Sequence, residues 1–166
     1  MPMPELAYLS LGSNLGDRAG NVRLAIKRLA EAGEVKAISA LYETEPVEFR
    51  AQPWFLNCVI ALETGKPPRE LLQIALAIEE AMGRQRSREK GPRTVDIDIL
   101  LFGSLVMDEP GLRIPHPVMQ QRRFVLEPLV EIAAEVQHPV LKKTARELLD
   151  AMPAGQSVRR VSSWFD

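Results

Sequence analysis

Apolar side chains recur along this chain with two different periods, and the alternation between them sketches the secondary structure. Residues 6–11 read as a first strand, followed by a turn through Gly12 to Gly16 and a helix over 17–32 in which Val22, Ala25, Ile26 and Leu29 recur at helical spacing. Asp17 is placed to cap this helix and Gly33 to stop it. Residues 35–42 read as a second strand. The segment 43–54 holds Pro46 and Pro53, cannot be regular, and is expected to be a loop of about a dozen residues. Over 55–63 the pattern alternates, with Leu56, Cys58, Ile60 and Leu62 turned to a core and Phe55, Asn57, Val59 and Ala61 to the other side. Pro67 and Pro68 open a helix that runs to about residue 82 with Leu71, Ala75, Ile78 and Met82 along its buried stripe. A strand over 95–102 follows, and helices are expected around 122–134 and 144–152.

That order, β-α-β-β-α-β, is the ferredoxin-like pattern of the α+β class, an antiparallel sheet with helices packed on one face, here carrying C-terminal helical additions. The 166 residues contain no internal repeat, low-complexity tract or linker, so 1–166 is expected to form one domain. With 46% hydrophobic residues such a chain can bury a proper core. A net charge of −1 argues against nucleic acid as a partner, because a polyanion binder needs a broad basic face. The single cysteine, Cys58, excludes an internal disulfide framework and a cysteine-based zinc site, and reads as core filling. The start, Met1-Pro2-Met3-Pro4-Glu5, has no positive segment ahead of an apolar one, and no apolar run approaches the roughly 18 residues of a membrane span. A cytoplasmic location and no membrane partner are expected.

Chemistry is concentrated in the run Gly91-Pro92-Arg93-Thr94-Val95-Asp96-Ile97-Asp98-Ile99-Leu100-Leu101-Phe102-Gly103. As a strand it would bury Val95, Ile97, Ile99 and Leu101 and place Asp96 and Asp98 together on the opposite face. Two carboxylates about 6–7 Å apart at their Cα atoms can share one Mg²⁺ or bracket two, since a hard cation completes its shell with water and phosphate oxygens. An Asp-x-Asp on a strand with one solvated face is also common as plain surface. Upstream, Arg84, Arg86, Arg88, Lys90 and Arg93 stand against the single acid Glu89, which makes the loop either a solvated basic run or an anion clamp for phosphate oxygens. Phe55 and Asn57, two apart on one strand face, can stack on a flat heterocycle and hydrogen-bond its edge, or simply pack under the preceding loop.

The run GPRTVDIDILLFG, with Leu11-Gly12-Ser13-Asn14-Leu15-Gly16-Asp17 near the start and Phe55-Leu56-Asn57 in the middle, resembles the 6-hydroxymethyl-7,8-dihydropterin pyrophosphokinase family of folate biosynthesis in order and spacing along nearly the whole chain. The resemblance implies ATP as co-substrate, transfer of its pyrophosphoryl group to the pterin hydroxymethyl oxygen with release of AMP, and a monomer. It implies that Asp96 and Asp98 hold two Mg²⁺ ions. Arg84, Arg86 and Arg93 match cations that contact the nucleotide phosphates, with Arg84 and Arg93 counted as catalytic beside the two aspartates. Glu79, His116 and Arg122 match further nucleotide-contacting positions, while Arg123 reads as solvated and His138 has no role. For the pterin, Phe55 and Phe124 match the two sandwiching aromatics, Asn57 the amide that reads the ring edge, and Thr44, Glu45 and Val47 loop positions that offer backbone groups. The chain departs from the pattern in five places. Lys90 stands where a Trp is common, Phe55 where Tyr is, Glu45 where Pro is, Arg123 where a small residue is, and the stretch holding Arg88 is one residue shorter.

Two other classes fit parts of the pattern. A nucleotidyltransferase also uses Gly-Ser and Asp-x-Asp around a metal-bound triphosphate, but keeps them close in sequence, unlike Gly12-Ser13 and Asp96-Ile97-Asp98 here. A non-catalytic ferredoxin-like binding module, of the RNA-binding or ligand-sensing kind, would explain the fold without chemistry; the RNA-binding kind would carry paired strand aromatics within a basic Gly-Phe motif, which this chain lacks.

Overall fold

A computed structural model describes residues 3–45, 54–83, 94–155 and 157–161. Strand β1 (Glu5–Ser13) is buried almost from end to end because it lies inside the sheet, between β4 (Phe55–Thr64) and β5 (Asp96–Phe102), antiparallel to both. The far edge of β4 pairs with two short segments, β2 (Glu34–Ile38) and β3 (Tyr42–Thr44). The order β5-β1-β4-(β2, β3) is that of the ferredoxin-like fold, with β8 (Val158–Arg160) added outside β3. A small hairpin of β6 (Met107–Glu109) and β7 (Leu112–Ile114) follows β5.

The expected single strand over 35–42 is split, and Ser39 shows why. Its N–H still donates to the Val59 carbonyl at 2.9 Å, but the return bond from the Val59 N–H goes to its side-chain hydroxyl, at 3.0 Å. A side chain thus replaces the backbone acceptor, the ladder is interrupted, and pairing resumes at Tyr42. Glu43 and Thr44, expected within the loop, are therefore strand.

Helices α1 (Arg18–Leu29) and α2 (Pro68–Ala81) cover one face. Asp17 caps α1 as expected, accepting from the Gly20 N–H at 3.1 Å, and Val22, Ala25, Ile26 and Leu29 are buried. These side chains join Leu71, Ala75 and Ile78 of α2 over Leu56, Cys58, Ile60 and Leu62 of β4, so Cys58 is core. A Cβ on Gly33 would lie 2.2 Å from the Glu63 carbonyl, and the absence of one lets the chain leave the helix end hard against β4.

The other face is covered as well. Helix α3 (Arg123–Ala133) lies across Tyr8, Val59, Ala61, Leu100 and Leu101, with α4 (Ala145–Asp150) packed on its outside through Leu126, Leu148 and Leu149. Leu126 and Leu129 are fully buried, each contributing about 1.5–3 kcal/mol. Helices on a single face were expected; the C-terminal additions supply a second layer, which is why Val59 and Ala61 are buried. Arg123, expected to be solvated, bridges Glu127 at 3.2 Å and the Pro153 carbonyl at 3.2 Å and so ties α3 to the segment after α4. His138 shapes a turn, its Nδ1 accepting the N–H groups of Val140 at 3.2 Å and Leu141 at 3.0 Å.

Candidate functional site

The second face is not apolar along its whole length. Beyond the start of α3 it continues on β5, β1 and β4, where Asp96 pairs with Gly12, Gly12 with Asn57, and Asp98 with Ser10. Because side chains alternate along a strand, Asp96, Asp98, Ser10, Asn57 and Phe55 share this face, while Ile97, Ile99, Leu11, Leu56 and Cys58 point to the α1–α2 side. Both aspartates are half-buried. The alternation of β5 does not persist to its end. Tyr8 faces Leu101 but its neighbour Leu9 faces Ile99, so Leu100 is an extra residue, a β-bulge. Leu101, expected beside Ile97 and Ile99, consequently packs with Leu100 under α3, and Phe102 takes the place on the first face. The aspartates precede the bulge, and their common orientation is the one that strict alternation predicts.

Glu79 of α2 is 3% exposed, and its Oε2 accepts the Ile97 N–H at 2.7 Å. That amide sits between the two aspartates on the outer edge of an edge strand, so the carboxylate substitutes for a missing strand and fixes the backbone carrying them. The resemblance implies a nucleotide contact for Glu79; in the structure its carboxylate holds this backbone amide.

On the opposite side of Gly12, the Asn57 Nδ2 donates to Thr44 Oγ1 at 2.7 Å, with Asn57 4% and Thr44 2% exposed. Thr44 is flanked by Phe55 on β4 and Val158 on β8, and Glu45 follows at the exposed end of β3, its N–H 3.4 Å from the Ser157 carbonyl. Gly12 was not singled out for the site. A Cβ there would lie 2.5 Å from Asn57 Oδ1 and 3.6 Å from Phe55 Cδ1, so the glycine is what lets both side chains lie across β1. A glycine inside a strand pattern is the sequence signal for such a close approach.

His116 follows the Ile114–Pro115 cis peptide, and its N–H bonds the Leu100 carbonyl at 2.9 Å, which seats it against the bulge. Nδ1 accepts the Val118 N–H at 3.2 Å, so in the neutral ring the proton resides on Nε2. Burial, with help from the Arg122 cation and against the pull of Asp96, lowers the His116 pKa to about 4. The charges of Arg122 and Asp96 thus both reach the His116 ring. The Arg122 guanidinium carbon also stands 5.6 Å from the centre of the Phe124 ring, a cation–π contact at the start of α3.

The structure thus brings Asp96, Asp98, His116, Arg122, Phe124, Phe55, Asn57 and Thr44 to one side of the sheet. Arg84, Arg86, Arg93, Val47, and with them Arg88 and Lys90, lie outside the described residues. Among the described residues no three His, Cys, Asp or Glu side chains group as a metal site. Asp96 and Asp98 offer only hard oxygen donors, which suits Mg²⁺ if water and phosphate supply the remaining ligands.

Fold and site together define a ferredoxin-like α+β domain with an acidic strand pair set beside an amide-and-aromatic face. Residues 8–134 match the family model of 7,8-dihydro-6-hydroxymethylpterin-pyrophosphokinase (HPPK). The 2-amino-4-hydroxy-6-hydroxymethyldihydropteridine pyrophosphokinase of Bacillus subtilis is 43% identical over 137 residues, covering 81% of this chain and 82% of that protein. Folic acid synthesis protein fol1 of Schizosaccharomyces pombe is 41% identical over 162 residues, 96% of this chain. Against longer relatives the chain is one part, spanning 22% of that protein and 24% of its Dictyostelium discoideum counterpart. A crystal structure of Plasmodium falciparum HPPK-DHPS with pteroate superposes with a TM-score of 0.72, 18% identity and coverage of 90% of this chain and 42% of that one, a likeness of fold. The chain belongs to the HPPK family.

Proposed function

We propose that this protein transfers the pyrophosphoryl group of ATP to the hydroxymethyl oxygen of 6-hydroxymethyl-7,8-dihydropterin, giving AMP and the pterin diphosphate in folate biosynthesis. Membership of the family supports the reaction, and the B. subtilis relative is named for it. The observation that carries the reading is the adjacency across Gly12 of Asp96 on one side and Asn57 on the other. One sheet face thereby sets a metal-and-phosphate end next to a heterocycle end, which is the juxtaposition that transfer between two bound substrates needs.

In this reading Asp96 and Asp98 hold two Mg²⁺ ions, which when bound supply Lewis-acid charge neutralisation on the triphosphate. The hydroxymethyl oxygen gives up its proton to solvent and forms a bond to the β-phosphorus as the bond from that phosphorus to the α–β bridging oxygen breaks, and AMP leaves with that oxygen. The chain's own part is positioning and charge stabilisation. Arg122 and the Nε2–H of a neutral His116 donate to nucleotide phosphate oxygens, and Arg84, Arg86 and Arg93 supply further cations from the adjoining basic segment. Asn57 and Thr44 read the pterin edge, with Glu45 and Val47 beside them, while Phe55 and Phe124 take its two ring faces. Glu79 serves the nucleotide end by holding β5. With this reading go a single domain over 1–166, a monomer and a cytoplasmic location. No helix among the described residues is long and apolar enough to cross a membrane.

Incubation with ATP, Mg²⁺ and the dihydropterin, with nucleotides separated by chromatography, tests the proposal. AMP formed only when pterin is present supports it. ADP, or no turnover by folded protein, refutes it.

A further inference from the structure

On the face of the sheet away from the proposed substrates, three residues form a cluster that none of the chemistry above uses. Arg18, the first residue of α1, points one guanidinium nitrogen at two partners, donating to Glu43 Oε2 at 3.0 Å and to the Trp54 carbonyl at 2.7 Å. Glu43 engages its other oxygen, Oε1, with Arg159 of β8. Burial opposes ionisation of Glu43, whose side chain is only 16% exposed, but the Arg159 and Arg18 guanidiniums outweigh it and hold the carboxyl below the usual carboxylate range.

The sequence positions of these partners give the cluster its meaning. Glu43 immediately precedes Thr44, and Trp54 immediately precedes Phe55. Thr44 and Phe55 form the terminal pair of the β3–β4 ladder, which is only three pairs long. A ladder so short frays readily, since each end pair has neighbours on one side only. Arg18 joins both strands just beside that end pair, and it does so from a helix whose Val22, Ala25 and Leu29 are locked in the core. Glu43 alternates with Tyr42 and Thr44, so the clamp lies behind the sheet and leaves the substrate face clear.

We propose that Arg18 is a positioning residue for the pterin end of the site, fixing the separation of Thr44 and Phe55, and through Thr44 the Asn57 amide, by clamping β3 to β4 from the back. The inference rests on the assignment of these residues to pterin above. Arg18 does not touch either substrate, so its loss acts on one ligand through geometry. The bonds it makes are charge-assisted and partly buried, and a misplacement of an ångström or less at a recognition group is enough to weaken binding.

The test compares wild type with Arg18→Ala, Arg18→Lys and Glu43→Gln. Steady-state kinetics is run for both substrates, with calorimetric titration of the dihydropterin and of a non-hydrolysable ATP analogue in Mg²⁺. Arg18→Ala is expected to raise the KM and Kd for pterin roughly tenfold while the analogue affinity and kcat change by less than about threefold. Lysine keeps the charge and part of the reach and should recover part of the loss; Glu43→Gln, which keeps size but loses the charge, should fall between wild type and Arg18→Ala. A merely structural role would lower the melting temperature and weaken both ligands alike. Equal losses for the two ligands, or unchanged pterin binding in Arg18→Ala and Glu43→Gln, overturn the inference. Should Arg18→Ala fail to fold, the Glu43→Gln titrations decide by the same criterion. A wild type that makes no AMP sinks the proposed reaction and this inference with it, whereas an active wild type matched by its Arg18 variants sinks only the latter.

Discussion

Replacing Gly12 by alanine adds one methyl group at the point where the two halves of the proposed site meet. The glycine does not occupy a left-handed backbone conformation, so alanine can adopt its dihedrals, and the consequence is steric. The new Cβ would stand 2.5 Å from Asn57 Oδ1, well inside van der Waals contact, with Asn57 Cγ and Phe55 Cδ1 each at 3.6 Å. The backbone of β1 cannot recede, because it is hydrogen-bonded to β4 on one side and β5 on the other. The Asn57 amide must therefore rotate or withdraw, and its 2.7 Å bond to Thr44 Oγ1 is strained or broken. Both groups are more than nine-tenths buried, so an unpaired donor or acceptor there costs about 1–3 kcal/mol. Spent on pterin recognition, that range corresponds to a roughly 5–150-fold weaker Kd. Calorimetric titration of Gly12→Ala with the dihydropterin should show a loss in that range, with the ATP analogue within about threefold of wild type. Pterin affinity equal to wild type, in a variant whose melting temperature is also unchanged, would refute the steric argument, because it would mean that the amide accommodates the methyl group without leaving its place.

Asp96→Ala and Asp98→Ala should each abolish turnover and Mg²⁺-dependent nucleotide binding while leaving the unfolding transition cooperative, since both carboxylates are half-buried on the proposed substrate face; near-normal steady-state rates in either would remove the metal assignment. Glu79→Ala leaves the Ile97 N–H without this acceptor and should lower stability by about 1–3 kcal/mol as read by denaturant titration, an unchanged midpoint being the contrary result. Phe124→Ala should weaken pterin more than ATP in parallel titrations, and equal losses would count against a ring-stacking role. For His138, burial depresses the folded-state pKa below the unfolded value of 6.5, so near pH 6 the unfolded chain binds more protons. Its contribution to stability is then complete above about pH 6.5 and fades as the pH falls, and a His138→Asn variant should show a shallower loss of stability between pH 7.5 and 5.5 than wild type in urea titrations; identical slopes would contradict this.

Much of this was determined by local sequence. Helix α1 follows from a cap at Asp17 and a stripe at 3.6-residue spacing, and the orientation of Asp96 and Asp98 follows from strict alternation over the four residues around them. Such features depend on neighbours a turn or a pleat away, which the chain itself fixes. The motif order likewise carried the family. What the sequence left open depends on groups distant along the chain. The break at Ser39 arises because its hydroxyl meets the Val59 amide 20 residues on. The bulge at Leu100, which turns Leu101 over to α3, comes from a register set jointly with β1. The second helical layer exists because α3 finds Tyr8, Val59 and Ala61 across the sheet, and β8 because it finds β3. The backbone bond of Glu79, the close approach at Gly12 and the reach of Arg18 to Glu43 and Trp54 share this origin. Periodicity reports which face a residue takes, but only the packed structure decides which distant group that face meets, since that choice is made by burial and hydrogen-bond satisfaction summed over the whole core.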